Sequence, residues 1–115
     1  MTEPARFDVD HSNTQQADLP NQVRQRLQES LQLQLQYPEM ARQRGWEGEV
    51  KVSVQLSGEG RIVDVALAQS SGHRILDENT LATLHNLPRL RWAPALLNGK
   101  GMKIELPVIY QLSRL

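Results

Sequence analysis

The chain has 115 residues, enough for one domain with one core. Its apolar share of 39% falls below the ~45–50% usual for globular domains, so part of the chain lies outside a core. Lys plus Arg and Asp plus Glu balance at 13 each, which argues against a broadly basic nucleic-acid surface, and the absence of cysteine excludes disulfides and thiolate zinc sites. No apolar run approaches the roughly 20 residues that a membrane helix needs. Met1 to Asp10 is polar and acidic where an export signal would be basic and then apolar, so an anchor or signal is expected outside this chain, with Met1 an artificial start.

Met1 to Asp18 lacks periodicity and large apolar residues and is expected to be a disordered tail or linker end. Residues 19–35 are glutamine-rich. Leu19, Val23, Leu27 and Leu31 recur every four residues, the stripe of a helix that is marginal unless it docks, with Asp18 as a candidate cap and Pro20 in the first turn. A glutamine-rich low-complexity segment is the alternative. A domain spanning 36–115 follows. Pro38 as a first helical residue and Gly45 as a C-terminal cap bracket a short helix over Pro38 to Arg44.

The period then changes to two. Val50, Val52, Val54 and Leu56 alternate with Lys51, Ser53 and Gln55 in a half-buried strand over Glu49–Leu56. Ser57-Gly58-Glu59-Gly60 forms the turn, and Arg61–Gln69 is the partner strand with Val63, Val65 and Leu67 on one face. Asp77 is a good N-cap, and Leu76 and Leu81 stand at the spacing of a hydrophobic staple around it. A helix over Asp77–Leu87 with Leu81, Leu84 and Leu87 inward is therefore expected, stopped by Pro88. Arg89 to Pro94 reads as a short extended piece. Asn98-Gly99-Lys100-Gly101 is a turn before a final strand, Lys103–Leu112, whose even-numbered residues share an apolar face. Pro107 inside that strand makes it an edge strand or a bulged one. The expected fold is α+β: a three-stranded antiparallel sheet with two helices on one face, plus the N-terminal helix if the leucine stripe forms one. The expected core holds Val52, Val54, Val65, Leu81, Leu84 and Leu106.

Little in the sequence suggests catalysis or metal binding. His11, His73 and His85 form no ligand pair at helical spacing. Ser70 and Ser71 lie near His73 and Asp77, but the segment is not a nucleophile elbow, and two turn serines explain it better. Arg89 and Arg91 beside Trp92 could meet RNA, yet Trp92 as a core plug with its N–H bonded is preferred. The unusual feature is the final strand. Natural proteins shorten or charge such an edge, and Val108 to Leu112 carries neither guard, so it is covered by a second copy or offered to an extended peptide.

In order, Tyr37-Pro38-Glu39-Met40-Ala41, Gly48-Glu49-Val50-Lys51-Val52, Gly60-Arg61-Ile62-Val63-Asp64-Val65, Ser70-Ser71-Gly72, Leu76-Asp77, Trp92-Ala93-Pro94-Ala95 and Asn98-Gly99-Lys100 resemble the C-terminal, receptor-coupling domain of TonB-family energy transducers, over about Gln34 to Leu112. The resemblance implies a periplasmic domain of a protein anchored in the inner membrane. It implies no enzymatic activity and no cofactor. The implied partners are the TonB-box peptide and plug of an outer-membrane TonB-dependent transporter, and an ExbB/ExbD-type motor reached through a segment upstream of this chain. It further implies strand addition to the sheet edge, with Gln34 and Gln36, just before Tyr37-Pro38, contacting the receptor. Only the segment after Pro107 offers an uninterrupted ladder, so the expected peptide-binding residues are Gln34, Gln36, Tyr37, Val108, Ile109, Tyr110, Gln111 and Leu112. Met40 departs from the basic residue of some members, which bears on receptor identity. Asp77-Glu78-Asn79-Thr80-Leu81 replaces an alanine-rich start, which is expected to bear on packing only. The leucine stripe before Gln34 does not map onto the motifs that carry the resemblance. Three readings compete: a peptide-binding coupling module that is a monomer or weak homodimer, a structural dimerisation domain of an envelope protein, and a small hydrolase built on Ser71, His73 and Asp77.

Overall fold

The computed structural model describes residues 18–112, so the expected tail lies outside the described residues except for Asp18. Helix α1, Leu19–Gln34, leads through a short extended link to α2, Glu39–Gln43. Strands β1, Gly48–Leu56, and β2, Ile62–Gln69, form a hairpin. Helices α3, Arg74–His85, and α4, Ala93–Leu97, precede β3, Met102–Tyr110. The sheet is antiparallel with order β2-β1-β3, which makes β1 central and leaves β2 and β3 at the edges.

The two-residue period does what it should. Val50, Val52, Val54 and Leu56 of β1 and Ile104, Leu106, Val108 and Tyr110 of β3 are buried on one face, where Leu76 and Leu84 of α3 and Ala41 of α2 join them. On the other face Lys51, Ser53 and Gln55 stay partly exposed and Glu49 is exposed. The leucine stripe of α1 is also in this core: Val23, Leu27 and Leu31 are buried, and the helix packs against β3, α3 and α4. Docking supplies the stability that a one-residue-wide stripe lacks in isolation. Asp18 occupies the N-cap, but its side chain caps nothing; its carbonyl accepts from Gln22 N at 2.8 Å.

Several expectations need correction. Helix α3 begins at Arg74, with His73 at the N-cap, three residues before the expected start. Leu76 is therefore inside the first turn and is itself buried, and no staple forms. In β2 a register shift between Gln55 and Leu56 leaves Val63 unpaired on the bulge: Val54 faces Val65, but Leu56 faces Ile62. One extra residue reverses the alternation, so Val63 is 59% exposed instead of inward. Val65 and Leu81 are half-buried at the core margin, not inside it. The segment expected to be extended around Trp92 contains α4. Pro94 sits in its first turn, where its missing N–H costs nothing. Pro38 likewise is an N-cap, not a helical residue.

Two turns are fixed by close backbone approach. Gly60 has φ +94, and a Cβ there would overlap the Leu90 carbonyl. Leu90 N donates to Gly60 O at 2.7 Å, which ties the segment before α4 to the β1–β2 hairpin. A Cβ on Gly58 would likewise overlap the Gly99 carbonyl, so only glycine fits where the β1–β2 turn meets the turn between α4 and β3.

Candidate functional site

The outer edge of β3 can be read from its pairing. In an antiparallel ladder a residue's N–H and C=O point to the same side, and successive residues alternate. Arg24 Nε donates to Glu105 O at 2.8 Å and Gln28 Nε2 to Pro107 O at 3.3 Å, both from outside the sheet. The odd-numbered residues of β3 therefore turn their backbone outward, and Ile104, Leu106, Val108 and Tyr110 turn theirs to β1. Pro107 lies on the outward set, so its lack of an N–H costs the β1 ladder nothing. The β1–β3 register accordingly runs unbroken from Gly48–Tyr110 to Leu56–Met102.

Ile109 is the next outward residue. Its side chain is 64% exposed, and among the described residues no hydrogen bond reaches its N–H or C=O. Beside it, between the C-terminal half of α1 and Pro107–Ile109, runs a groove of about 550 Å³ walled by Gln25, Gln28, Gln32 and Leu33.

The strand's far end is held by a small polar cluster. Tyr37 and Tyr110 meet edge to face, 5.3 Å between centroids. The Tyr37 hydroxyl donates to Trp46 O, and burial, then the nearby Glu47 and Tyr110, raise its pKa above the ordinary value. The Tyr110 hydroxyl lies 2.9 Å from Asn79 Nδ2, which donates to it, and 2.8 Å from Thr80 Oγ1. Asn79 Nδ2 also donates to Gln36 O at 2.8 Å. So Asn79 joins the Gln36–Tyr37 link to the end of β3. This corrects the expectation that the Asp77–Leu81 segment bears on packing alone. The sequence signal was the replacement of small residues by a donor and a hydroxyl on the helix face toward Tyr110.

Gln36 is exposed. Val108 and Tyr110 are buried toward the helices and can meet a ligand only through the framework they hold. Gln111 is exposed just past the ladder, and Leu112 N donates to Glu47 Oε2 at 2.7 Å. Gln34, at the end of α1, lines a separate groove of about 180 Å³ with Pro88, Leu90 and Trp92. The structure thus joins Gln36, Tyr37 and Tyr110 and sets Gln34 beside another groove.

The serine cluster near α3 is structural. Asp77, 6% exposed, accepts from Ser70 Oγ, from Ser71 N at 2.9 Å and from Ser71 Oγ at 2.8 Å. Burial works to raise its pKa, but these hydrogen bonds, with His73 nearby, outweigh it and hold the carboxyl below its ordinary value. Ser71 Oγ bonds the backbone of His73, whose imidazole instead stacks on Trp46 at 4.9 Å. That is a turn, not an arrangement in which the imidazole could take the serine proton. Trp92 Nε1 donates to Ser30 Oγ at 3.2 Å, and Arg26 lies 5.7 Å over its ring, so the indole pins α1.

Residues 33–112 match the family model for the Gram-negative bacterial TonB protein C-terminal region. The chain belongs to that TonB C-terminal family. It is 34% identical over 79 residues to Protein TonB of Pseudomonas putida, covering 68% of this chain and 32% of that protein. Against Protein TonB of Vibrio cholerae it is 32% identical over 85 residues, covering 72% and 34%. The chain thus spans about a third of the length of these TonB relatives. The solution structure of the Helicobacter pylori TonB C-terminal domain is similar, with TM-score 0.59 and 25% identity, covering 79% of this chain and 81% of that one. That of Pseudomonas aeruginosa, at 24% identity and TM-score 0.53, shares the TonB fold. The family match begins at residue 33, so most of α1 precedes it.

Proposed function

We propose that this chain is the receptor-coupling domain of a TonB-type energy transducer. It acts in the periplasm and binds the TonB-box peptide of an outer-membrane TonB-dependent transporter by strand addition to the outer edge of β3. It is not an enzyme. An ExbB/ExbD-type motor in the inner membrane acts on it through a segment upstream of residue 1.

Family membership supports the coarse role. The observation that carries the finer one is the outward, unpaired backbone of Ile109 beside an open groove. A strand draws affinity from main-chain hydrogen bonds and tolerates varied side chains. Ordering a flexible peptide costs several kcal/mol, so equilibrium affinity is modest, yet ladder bonds loaded together can carry a pull along the strand. Gln36 and Tyr37, fixed through Asn79 and Tyr110, lie at the end of that edge and are the side chains proposed to meet the receptor.

Calorimetric titration with a synthetic TonB-box peptide of an outer-membrane transporter tests the reading. Saturable binding that a peptide with alternate N-methylated amides abolishes is expected, because N-methylation removes the donors of a ladder. Equal binding by the N-methylated peptide would refute strand addition.

A further inference from the structure

Helix α1 and strand β3 are matched in pitch. Four residues of helix rise about 6 Å, and two residues of antiparallel strand about 6.8 Å. Side chains at every fourth position of α1 can therefore meet every second residue of β3. Arg24 and Gln28 do so, taking the carbonyls of Glu105 and Pro107. Each directly follows a buried anchor, Val23 and Leu27, so the docked stripe fixes where the two polar side chains reach. Arg24 is further held by a hydrogen bond from Nη1 to Asn21 Oδ1. The next pair in the series is Gln32 and Ile109. There no such bond is formed among the described residues, and the groove opens between them.

We propose that α1 is a register stop for strand addition: Arg24 and Gln28 clasp the outward carbonyls of Glu105 and Pro107, so an incoming peptide pairs from Ile109 onward and gains the earlier edge only when α1 releases. This rests on the reading of the β3 edge as the peptide site. Pro107 makes the stop sharp. It has no N–H, and with its carbonyl taken the residue offers nothing to an incoming strand. Glu105 keeps an N–H but has lost its acceptor, so a strand passing Ile109 meets two positions that cannot complete a ladder. The clasp also guards an edge that carries few charges to repel other strands.

The test uses the R24A/Q28A double variant of the whole chain, isotopically labelled, with the synthetic TonB-box peptide as probe. Without peptide, the carbonyl carbons of Glu105 and Pro107 are expected to shift upfield in the variant while those of Ile104 and Leu106 stay in place. With peptide, the original protein is expected to respond at the amides of Ile109 and Gln111, and the variant also at Lys103 and Glu105. Affinity should rise roughly tenfold, since each freed ladder bond contributes a factor of roughly 2–10. Unmoved carbonyl shifts would overturn the clasp. So would a response at Lys103 and Glu105 in the original protein, or weaker binding by the variant, which would make the two side chains peptide contacts. Carbonyls that move while neither protein binds peptide would retain the clasp and refute the peptide reading of the edge instead.

Discussion

The two edges of this sheet are both open to solvent in principle, and the chain treats them differently. On β2, register shifts at both ends of the β1 pairing twist the strand, and exposed Asp64 follows exposed Val63. Bulges and a charge spoil that edge by changing its shape. On β3 the register is unbroken, and the edge is covered by side chains reaching from a helix. A bulge is permanent, whereas two hydrogen bonds from a docked helix can open. An edge meant to stay closed can be distorted; one meant to be used must be kept straight and covered reversibly.

The largest effects should separate the cores beneath the two edges. Leu84→Ala in α3, which packs on β2 and β1, should cost about 2–5 kcal/mol of global stability, read as a lowered denaturation midpoint. Leu27→Ala removes the same atoms from α1, the helix proposed above to release from the β3 edge. It should cost less globally and raise amide exchange in α1 without raising it in β2. Equal exchange in β1, β2 and α1 would show that α1 is not a separable cover.

Gly60→Ala comes next. Its left-handed φ alone costs about 1–3 kcal/mol, and overlap with the Leu90 carbonyl adds to it, so the melting temperature should fall. An unchanged melting temperature would mean that the hairpin and the Leu90 segment are not tied together.

A pair of proline substitutions sharpens the edge assignment. Val108 turns its N–H to β1, so Val108→Pro should leave a buried carbonyl unsatisfied and cost at least about 1–3 kcal/mol. Ile109→Pro, one residue on, should leave the fold and its stability nearly unchanged, as Pro107 already does, while abolishing binding of the TonB-box peptide. A reversed order of stabilities would invert the assigned backbone directions.

An acid-dependent effect belongs to the β2 side. The pKa of Asp77 is depressed below its ordinary 3.8 in the folded protein. Below pH 3.8 the unfolded chain therefore binds the extra proton first, and the stability that Asp77 contributes above that pH drains away as pH falls toward the folded value. Asp77→Asn should lose about 1–3 kcal/mol at neutral pH and flatten that acid slope. An unaltered slope in acid titration of stability would assign it to other carboxylates.

What could be read from the sequence followed from strong local periods. The alternation in β1 and β3 has one physical solution, whereas the four-residue stripe of α1 became a helix because docking supplied the burial that the stripe alone lacked. The start of α3 was misread because Asp77 is the better capping residue by type, whereas its carboxylate serves Ser70 and Ser71 and the helix begins three residues earlier. The β2 bulge was invisible because Val63 continues an apolar alternation that one skipped pair reverses. Helix α4 was missed because Pro94 was taken as an end and not a beginning. Of the candidate site, the unguarded edge of the last strand was legible from its apolar alternation and Pro107. The clasp was not, because Arg24 and Glu105 are 81 positions apart and nothing local marks a polar helix residue as the partner of a distant carbonyl.

The most direct test is a backbone-amide titration of the chain with the TonB-box peptide, comparing the outward residues of the two edges. Strand addition to β3 predicts that the amides of Ile109 and Gln111 shift and gain protection from exchange while those of Val65 and Leu67 do not. Protection gained at Val65 and Leu67, with Ile109 unaffected, would contradict it and make the bulged edge the working one.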